Sequence, residues 1–237
     1  MYPFIVYMLR SYTRSQRYFG PLAGIVIAVL ILYSYKPNPV MNSYAATAVM
    51  LFISCAWMSL SFLNHEHAVH RQIAVVHMRS AAKHSAGGIL TLAFLTLLLD
   101  LLIVLYPWVT GHFAESPGGY RLILALIGHG LLGMLGVAIA LFFQSSWIQK
   151  GSHATGMLLA IVVLSLGGAQ ISESLPGIFH FLIWLLPPVT PVMEAMMKAD
   201  TLSLAELLGS FAQALVYITL LIGFYLYRSR QRDYNKT

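Results

Sequence analysis

GGILTLAFLTLLLDLLIVLYPW, residues 87–108, is the stretch that decides the fold of this chain. It is apolar almost throughout, and Asp100 is its one charged residue. A helix needs about 20 predominantly apolar residues to cross the hydrocarbon core of a bilayer. The stretch therefore predicts a membrane-spanning α-helix.

Five further apolar runs accompany this stretch. Of the 237 residues, 58% are hydrophobic and only 9% are charged, whereas soluble domains carry about a quarter charged residues. The runs are continuous, unlike the alternating strands of about ten residues that build membrane β-barrels. We predict an all-α membrane protein with six transmembrane helices, forming a single domain, 1–237. The predicted spans are Pro21–Tyr35, Tyr44–Leu63, Gly87–Trp108, Leu122–Phe143, Ala154–Ala169 and Ala205–Tyr227.

The positive charges follow this predicted topology. With both termini in the cytoplasm, the outer segments contain only Lys36, Arg121 and Lys198, and the other lysines and arginines fall on inner segments. Cytoplasmic loops carry an excess of these residues. We therefore predict a multi-pass protein of the plasma membrane with both termini cytoplasmic. The net charge of +6 follows from this topology and does not indicate nucleic-acid binding.

The first residues, 1–18, predict an amphipathic helix on the membrane surface. Apolar side chains such as Phe4 fall on one helical face, and Arg10, Arg14 and Arg17 fall largely on another. Arginines in such a helix interact with the anionic headgroups of membrane lipids. The alternative is an ordinary positively charged flank of the first span.

The segment 171–204 predicts a re-entrant helical hairpin on the extracytoplasmic side. Its apolar run Ile178–Leu186 is too short to span a bilayer, and prolines bound it on both sides. A second short helix is predicted at Val192–Lys198. The alternative, a seventh span, would place the basic tail Arg228–Lys236 outside the cell.

Residues 64–85, NHEHAVHRQIAVVHMRSAAKHS, form a polar, basic and histidine-rich interruption between the second and third spans. A zincin motif requires two histidines four residues apart, whereas His65 and His70 are five apart and face different sides of a helix. His70, His77 and His84 recur every seven residues and would lie roughly on one helical stripe. The pattern is typical of either a solvated loop helix or a docking surface.

Asp100 and His129 are polar residues deep in the predicted third and fourth spans. Each lies about eight residues from the outer end of its span, which is a depth of about 12 Å at 1.5 Å per residue. Because a short loop joins the two spans, we predict a contact between these side chains. The contact is either a structural clamp or part of substrate passage or proton coupling.

The fourth span is rich in glycine, which lets helix backbones approach closely. We expect tight packing there, within the bundle or across a subunit interface. The glycines are Gly128, Gly130, Gly133 and Gly136. No Gly-Lys pair occurs in the sequence, so it has no Walker A motif, and no cofactor is expected in this chain.

The layout resembles the six-span permease subunits of ABC exporters of the type-two or type V kind. An amphipathic amino-terminal helix precedes the first span, and an inner loop carries an acid and then basic residues, from Glu66 to Lys83. The fourth span runs into a short inner turn, LFFQSSWIQKGSHATG, and a proline-bounded segment, LPGIFHFLIWLLPPVTPVME, lies between the last two spans. The resemblance covers nearly the whole chain.

This resemblance implies roles for two sets of residues. The inner loop, 64–86, would contain a coupling helix that docks on a separate ATPase subunit, with Glu66 and Arg71 making the main polar contacts. The coupling residues would be His65, Glu66, His67, His70, Arg71, His77, Arg79 and Lys83. The outer hairpin would gate the translocation path, through Phe179, Phe181, Trp184, Pro187 and Pro188.

We therefore predict the membrane-spanning subunit of an ATP-driven exporter. The expected partners are an ABC ATPase subunit that binds ATP and Mg²⁺, a second permease copy or a related permease, and membrane lipids. The chain itself is expected to have no catalytic site and no metal. Weakly charged spans favour a hydrophobic or amphipathic substrate, such as a peptide, a lipid or a drug-like molecule. The alternatives are a non-transporting membrane partner, such as an immunity or assembly subunit, and a membrane metalloenzyme.

Overall fold

Ten α-helices make up most of the described chain. The computed structural model describes residues 1–145, 147–148, 150–174, 176 and 185–234, and no β-strand occurs among them. The helices are α1 (Tyr2–Ser15), α2 (Phe19–Leu32), α3 (Val40–Leu63), α4 (Ala68–Met78), α5 (Ala81–Val109), α6 (Gly118–Ala140), α7 (Gly151–Leu166), α8 (Gly168–Ser174), α9 (Val189–Met197) and α10 (Leu204–Tyr234).

Four helices are long and apolar enough to cross a membrane. They are α3, α5, α10 and α6 with the short turn that continues it to Phe143. These helices confirm the predicted second, third, fourth and sixth spans as apolar helices of spanning length. The chain is an all-helical protein with the composition and helix lengths of a membrane protein.

The first and fifth predicted spans coincide with shorter helices. α2 has 14 residues and meets α1 at 81°, so these two make a fifth crossing only when they are taken together as one broken span. α7 has 16 residues and ends at Leu166, with Gly167 as its C-cap. At 1.5 Å per residue α7 is about 24 Å long, which is less than the hydrocarbon thickness of about 30 Å.

The sharp bend after α1 lays this helix across the ends of its neighbours. Gln16 ends α1 with a φ of 56°, in the left-handed region. Tyr12 then donates a hydrogen bond to the carbonyl oxygen of Met58 near the end of α3, at 3.3 Å. The ring of Phe4 packs directly over Gly87 of α5. This geometry suits the predicted surface helix, whose place on the membrane remains a prediction.

Helices α3 and α6 form the centre of the bundle, because glycine lets their backbones touch. A Cβ on Gly136 would collide with the carbonyl oxygen of Phe52 and would lie 3.0 Å from the amide nitrogen of Ala56. Gly133 also faces α3, where a Cβ would stand 3.5 Å from side-chain atoms of Leu51 and Cys55, an ordinary contact distance. Of the two interpretations of the glycine-rich span, close packing within the bundle is the one that the structure contains.

The two ends of the bundle are distinct, and we name them the α4 end and the α9 end. The α4 end carries α1, α4 and the last turns of α10, so both ends of the described chain lie there. At the α9 end Arg121 pairs with Glu115 and Asp200 and ties the start of α6 to the chain before α10. The predicted second short helix at Val192–Lys198 is present as α9, with Val192 and Met196 fully buried.

Candidate partner-docking helix

Helix α4 is a short separate element between α3 and α5. It begins after His67, whose backbone is extended, and ends at Arg79, whose φ of 55° lies in the left-handed region. Ser80 then caps α5 by accepting a hydrogen bond from the amide of Lys83 at 3.4 Å. These stop and start signals separate α4 from α5.

One face of α4 is apolar and exposed. Val69, Ile73 and Val76 are 64%, 61% and 76% exposed. Their spacing of four and three residues places them on one stripe, which we call the α4 apolar stripe. A contiguous exposed apolar patch is typical of an interaction site.

Most of the predicted coupling residues lie on the surface around this stripe. The exposed ones are His67, His70, His77, Arg79 and Lys83, and Arg71 is partly exposed. Exposed cationic and histidine side chains therefore surround the stripe, and whether they bind a partner remains a prediction.

Glu66 is the exception, because its side chain points into the bundle. Its Oε2 lies 3.5 Å from Nε2 of His84, and the two side chains are only 5% and 8% exposed. Glu66 was expected to contact a partner directly, and the structure corrects this expectation. Its carboxylate instead joins the loop before α4 to the first turns of α5.

The electrostatics of this pair favour the ionised carboxylate. Burial acts to raise the pKa of the Glu66 carboxyl, but the interactions with neighbouring groups, of which those with His84 are the largest, together outweigh it, so this pKa lies below its usual range. The charge of His65 and the hydroxyl of Tyr7 on α1 act in the same direction. A cavity of about 20 Å³ adjoins the pair and is also lined by Arg71, which is room for one water molecule.

The predicted histidine stripe does not form. His70 and His77 are exposed on α4, whereas His84 is buried on α5 and stacks obliquely against Phe4. The reason is the break at Arg79, which changes the helix direction between the second and third histidines. A seven-residue spacing aligns side chains only within one continuous helix.

The residues before α4 bind three other elements. His65 donates through Nδ1 to the carbonyl oxygen of Phe62, and its Nε2 lies 3.1 Å from Oγ of Ser11 on α1. The carbonyl oxygen of Asn64 accepts from Arg17 at 2.6 Å, and its side-chain oxygen accepts from the amide of Ser145 at 2.7 Å. We call Asn64, His65 and Glu66 the α4 anchor.

A buried polar chain, which sequence reasoning missed, runs beside the α4 anchor. Gln144 donates to the hydroxyl of Tyr225 at 2.8 Å, Tyr225 donates to Ser85 at 3.4 Å, and Ser85 donates to Ser229 at 3.3 Å. It joins the end of α6 to α5 and α10. Serine, glutamine and tyrosine are common at helix ends, so nothing in the sequence indicated this series of hydrogen bonds.

The predicted contact between Asp100 and His129 is not made. His129 is fully buried, with Nε2 at 2.9 Å from Oγ1 of Thr47 and Nδ1 at 2.8 Å from the carbonyl oxygen of Ala125. Both ring nitrogens are therefore engaged by other groups. Asp100 is buried as well, and its Oδ1 has no hydrogen-bond partner within the described residues. The depth estimate placed both residues correctly within their helices but could not fix which way each side chain faces.

The predicted outer gate is described only at its end. Phe179, Phe181 and Trp184 lie outside the described residues, and Pro187 and Pro188 are buried just before α9. A mostly apolar cavity of about 560 Å³ adjoins Pro187 between α6, α7 and α10. Tyr217 of α10 donates to the carbonyl oxygen of Leu185 at this cavity, at 2.8 Å.

Within the described ranges, no three histidine, cysteine, aspartate or glutamate side chains are grouped so that they could hold a metal ion. No protein-family model, no curated protein and no solved structure matches the chain.

Proposed function

We propose that this chain is the membrane-spanning subunit of an ATP-driven exporter and that α4 is the helix through which a separate ATPase subunit moves it. The observation that supports this function is that one segment has both an exposed apolar surface, the α4 apolar stripe, and firm bonds to the rest of the bundle, through the α4 anchor. The stripe offers three exposed apolar side chains to a partner. The anchor ties the same segment to α1, α5 and the end of α6.

This arrangement suits the transmission of movement. A partner that grips α4 and shifts it would act on α5 through Glu66 and His84, and on α1 through His65 and Ser11. Conformational change driven in this way requires only that the partner contacts two states differently. The basic and histidine side chains that flank the stripe favour a partner groove with an apolar floor and an acidic rim.

The membrane topology that we propose has six crossings, with α2 and α7 as the first and fifth. The α4 end then faces the cytoplasm and the α9 end faces outward. A second permease copy or a related permease completes the path. The apolar cavity beside Pro187 favours a hydrophobic or amphipathic substrate, for which the prolines before α9 serve as the outer gate.

The decisive experiment places a charge on the α4 apolar stripe. The chain is co-expressed with each candidate ABC ATPase subunit of the same organism, purified in nanodiscs, and assayed for ATP hydrolysis and for the retained ATPase. Ile73→Asp is expected to release the ATPase and to abolish its stimulated hydrolysis, because a carboxylate is costly in an apolar interface. Ser152→Asp is the control, since it adds the same charge at an exposed position in the first turn of α7, outside the stripe, and should change little.

Three results would contradict the function. Equal effects of Ile73→Asp and Ser152→Asp would show that α4 is not a docking helix. Retention of the ATPase without any ATP-dependent transport in proteoliposomes would favour a non-transporting membrane partner. Transport that survives removal of the ATPase would exclude an ATP-driven subunit.

A further inference from the structure

Asp100 is a buried acid that the proposed function does not use. It lies within α5, nine residues before Val109, which is about 14 Å along the helix axis. Only 2% of the residue is exposed, and its Oδ1 is fully buried without a hydrogen-bond partner in the part of the chain that the structure describes.

Glycines of α6 make the space in which this carboxyl group lies. A Cβ on Gly130 would stand 3.4 Å from Oδ2 of Asp100. One turn earlier on α5, the methyl group of Thr96 fills the place that a Cβ on Gly133 would need. The carboxyl group therefore sits in the seam between α5 and α6, facing the bundle.

The groups around this seam supply no cation. Cys55 of α3 interacts electrostatically with Asp100 and lies 3.6 Å from Oγ1 of Thr96. The ring nitrogens of His129 on α6 are occupied by Thr47 and Ala125.

The other ionisable groups on the helices that pack around Asp100 either lie far from the seam or bond to other atoms. α3 contains no lysine or arginine, α5 contains only Lys83 and α6 only Arg121, each in the first turn of its helix.

The hydroxyl of Tyr44 on α3 donates to the carbonyl oxygen of Val104. α10 reaches α5 by hydrogen bonds at Ser85, through Tyr225 and Ser229. Phe4 of α1 contacts α5 at Gly87, and α4 lies before the first turn of α5.

We propose that Asp100 is a proton-binding site of the bundle, held as a neutral carboxylic acid while α3, α5 and α6 are packed as in this structure. An ionised carboxylate without a cation or donors is strongly unfavourable in an apolar interior. Loss of the proton breaks the O–H bond, passes the proton to water and leaves a carboxylate. That carboxylate favours an arrangement in which water enters the seam between α5 and α6, so proton release and opening of the seam are linked.

Infrared spectroscopy of the protein in lipid nanodiscs tests the protonation state. The difference spectrum between the wild type and Asp100→Asn at neutral pH is expected to contain the carbonyl band of a protonated carboxyl group. A difference spectrum that contains only carboxylate bands would overturn the site. Asp100→Asn should also retain the thermal stability of the wild type, because it replaces one neutral polar group by another of similar shape.

The same pair of proteins separates a proton site from a cation site. A large loss of stability in Asp100→Asn, together with wild-type stability that depends on Na⁺ or K⁺, would show that Asp100 holds a metal cation and would overturn the proton site.

Cys55, the only cysteine in the chain, reports the opening of the seam. Its rate of modification by a methanethiosulfonate reagent is expected to rise with pH several-fold more steeply in the wild type than in Asp100→Asn. A carboxylate at Asp100 disfavours the neighbouring thiolate, so its direct charge effect would make the rise in the wild type shallower, and a steeper rise therefore reports opening of the seam. Identical pH profiles in the two proteins would overturn the link between proton release and opening.

Discussion

Glu66 and His84 join the two ends of the α4 segment, with Oε2 of the glutamate 3.5 Å from Nε2 of the histidine. Glu66 lies in the loop before α4, and His84 lies in the first turns of α5 after it. The pair therefore links a residue in the loop just before α4 to the helix that follows it. Because both side chains are buried, the position of α4 is tied to that of α5.

Glu66→Gln should destabilise the protein. The amide retains the shape of the side chain but removes the charge that faces His84, and we expect a loss of about 1–3 kcal/mol in the free energy of unfolding. Reversible unfolding in mixed micelles measures it. Glu194→Gln is the control, since it breaks an exposed pair with Lys198 on α9 and should cost less than about 0.5 kcal/mol. Equal losses in both variants would contradict the importance of burial.

The stability of the protein should fall in acid partly through Glu66. The native pKa of this carboxyl lies below the ordinary value of 4.5, so its stabilisation is complete above pH 4.5 and is lost as the pH falls through the lower native pKa. Thermal unfolding from neutral pH to about pH 3 should therefore show a shallower acid decline in Glu66→Gln than in the wild type. A decline of equal steepness in both proteins would show that Glu66 does not contribute to the loss of stability at low pH.

Gly136→Ala should disrupt the centre of the bundle. The new methyl group would meet the backbone of Phe52 and Ala56, which cannot move without separating α3 from α6. We expect a loss of about 3 kcal/mol or more, at the upper end of overpacking effects. Folded yield and unfolding in micelles measure the effect.

Gly223→Ala on α10 is the matched control for this substitution. A Cβ there meets no atom within 4 Å in the described structure, and α10 is helical throughout. The substitution should be neutral or stabilising by about 0.5–1 kcal/mol, because alanine loses less backbone entropy in a helix. Destabilisation of both variants to the same extent would show that the space around the glycine does not decide the result.

Thr47→Val should destabilise the bundle through His129. It keeps the shape of the side chain but leaves Nε2 of the buried imidazole without its partner, at a cost of about 1–3 kcal/mol. Thr219→Val is the control, because the hydroxyl of Thr219 is exposed and bonds only to the carbonyl oxygen of Leu215 in its own helix. If both variants unfold like the wild type, the hydrogen bond between Thr47 and His129 does not stabilise the bundle.

The sequence predicted the helices far better than the directions of their side chains. Continuous apolar runs such as 87–108 fix the spanning helices, because local hydrophobicity and length decide this feature. The pairing of Asp100 with His129 was wrong, because it needed the rotation of each helix about its axis. That rotation is set by packing contacts such as Gly136 against Phe52, which lie far apart in the sequence.

The polar segment between α3 and α5 illustrates the same division. Its position, its charge and its helix were visible in residues 64–85, but the predicted stripe of three histidines does not form, because His84 is buried on α5. Only the tertiary structure revealed that Glu66 turns inward to His84, since that partner is brought close by the chain reversing at Arg79.

By itself, the sequence determined that this is an all-helical membrane protein with an exposed polar connector, because hydropathy and helix length are local properties of the chain. The tertiary structure decided which polar groups meet: Glu66 with His84, Thr47 with His129, and Oδ1 of Asp100 with no hydrogen-bond partner among the described residues. The physical reason is that a buried polar group is stabilised only by atoms within hydrogen-bonding distance, and helix packing determines which atoms those are.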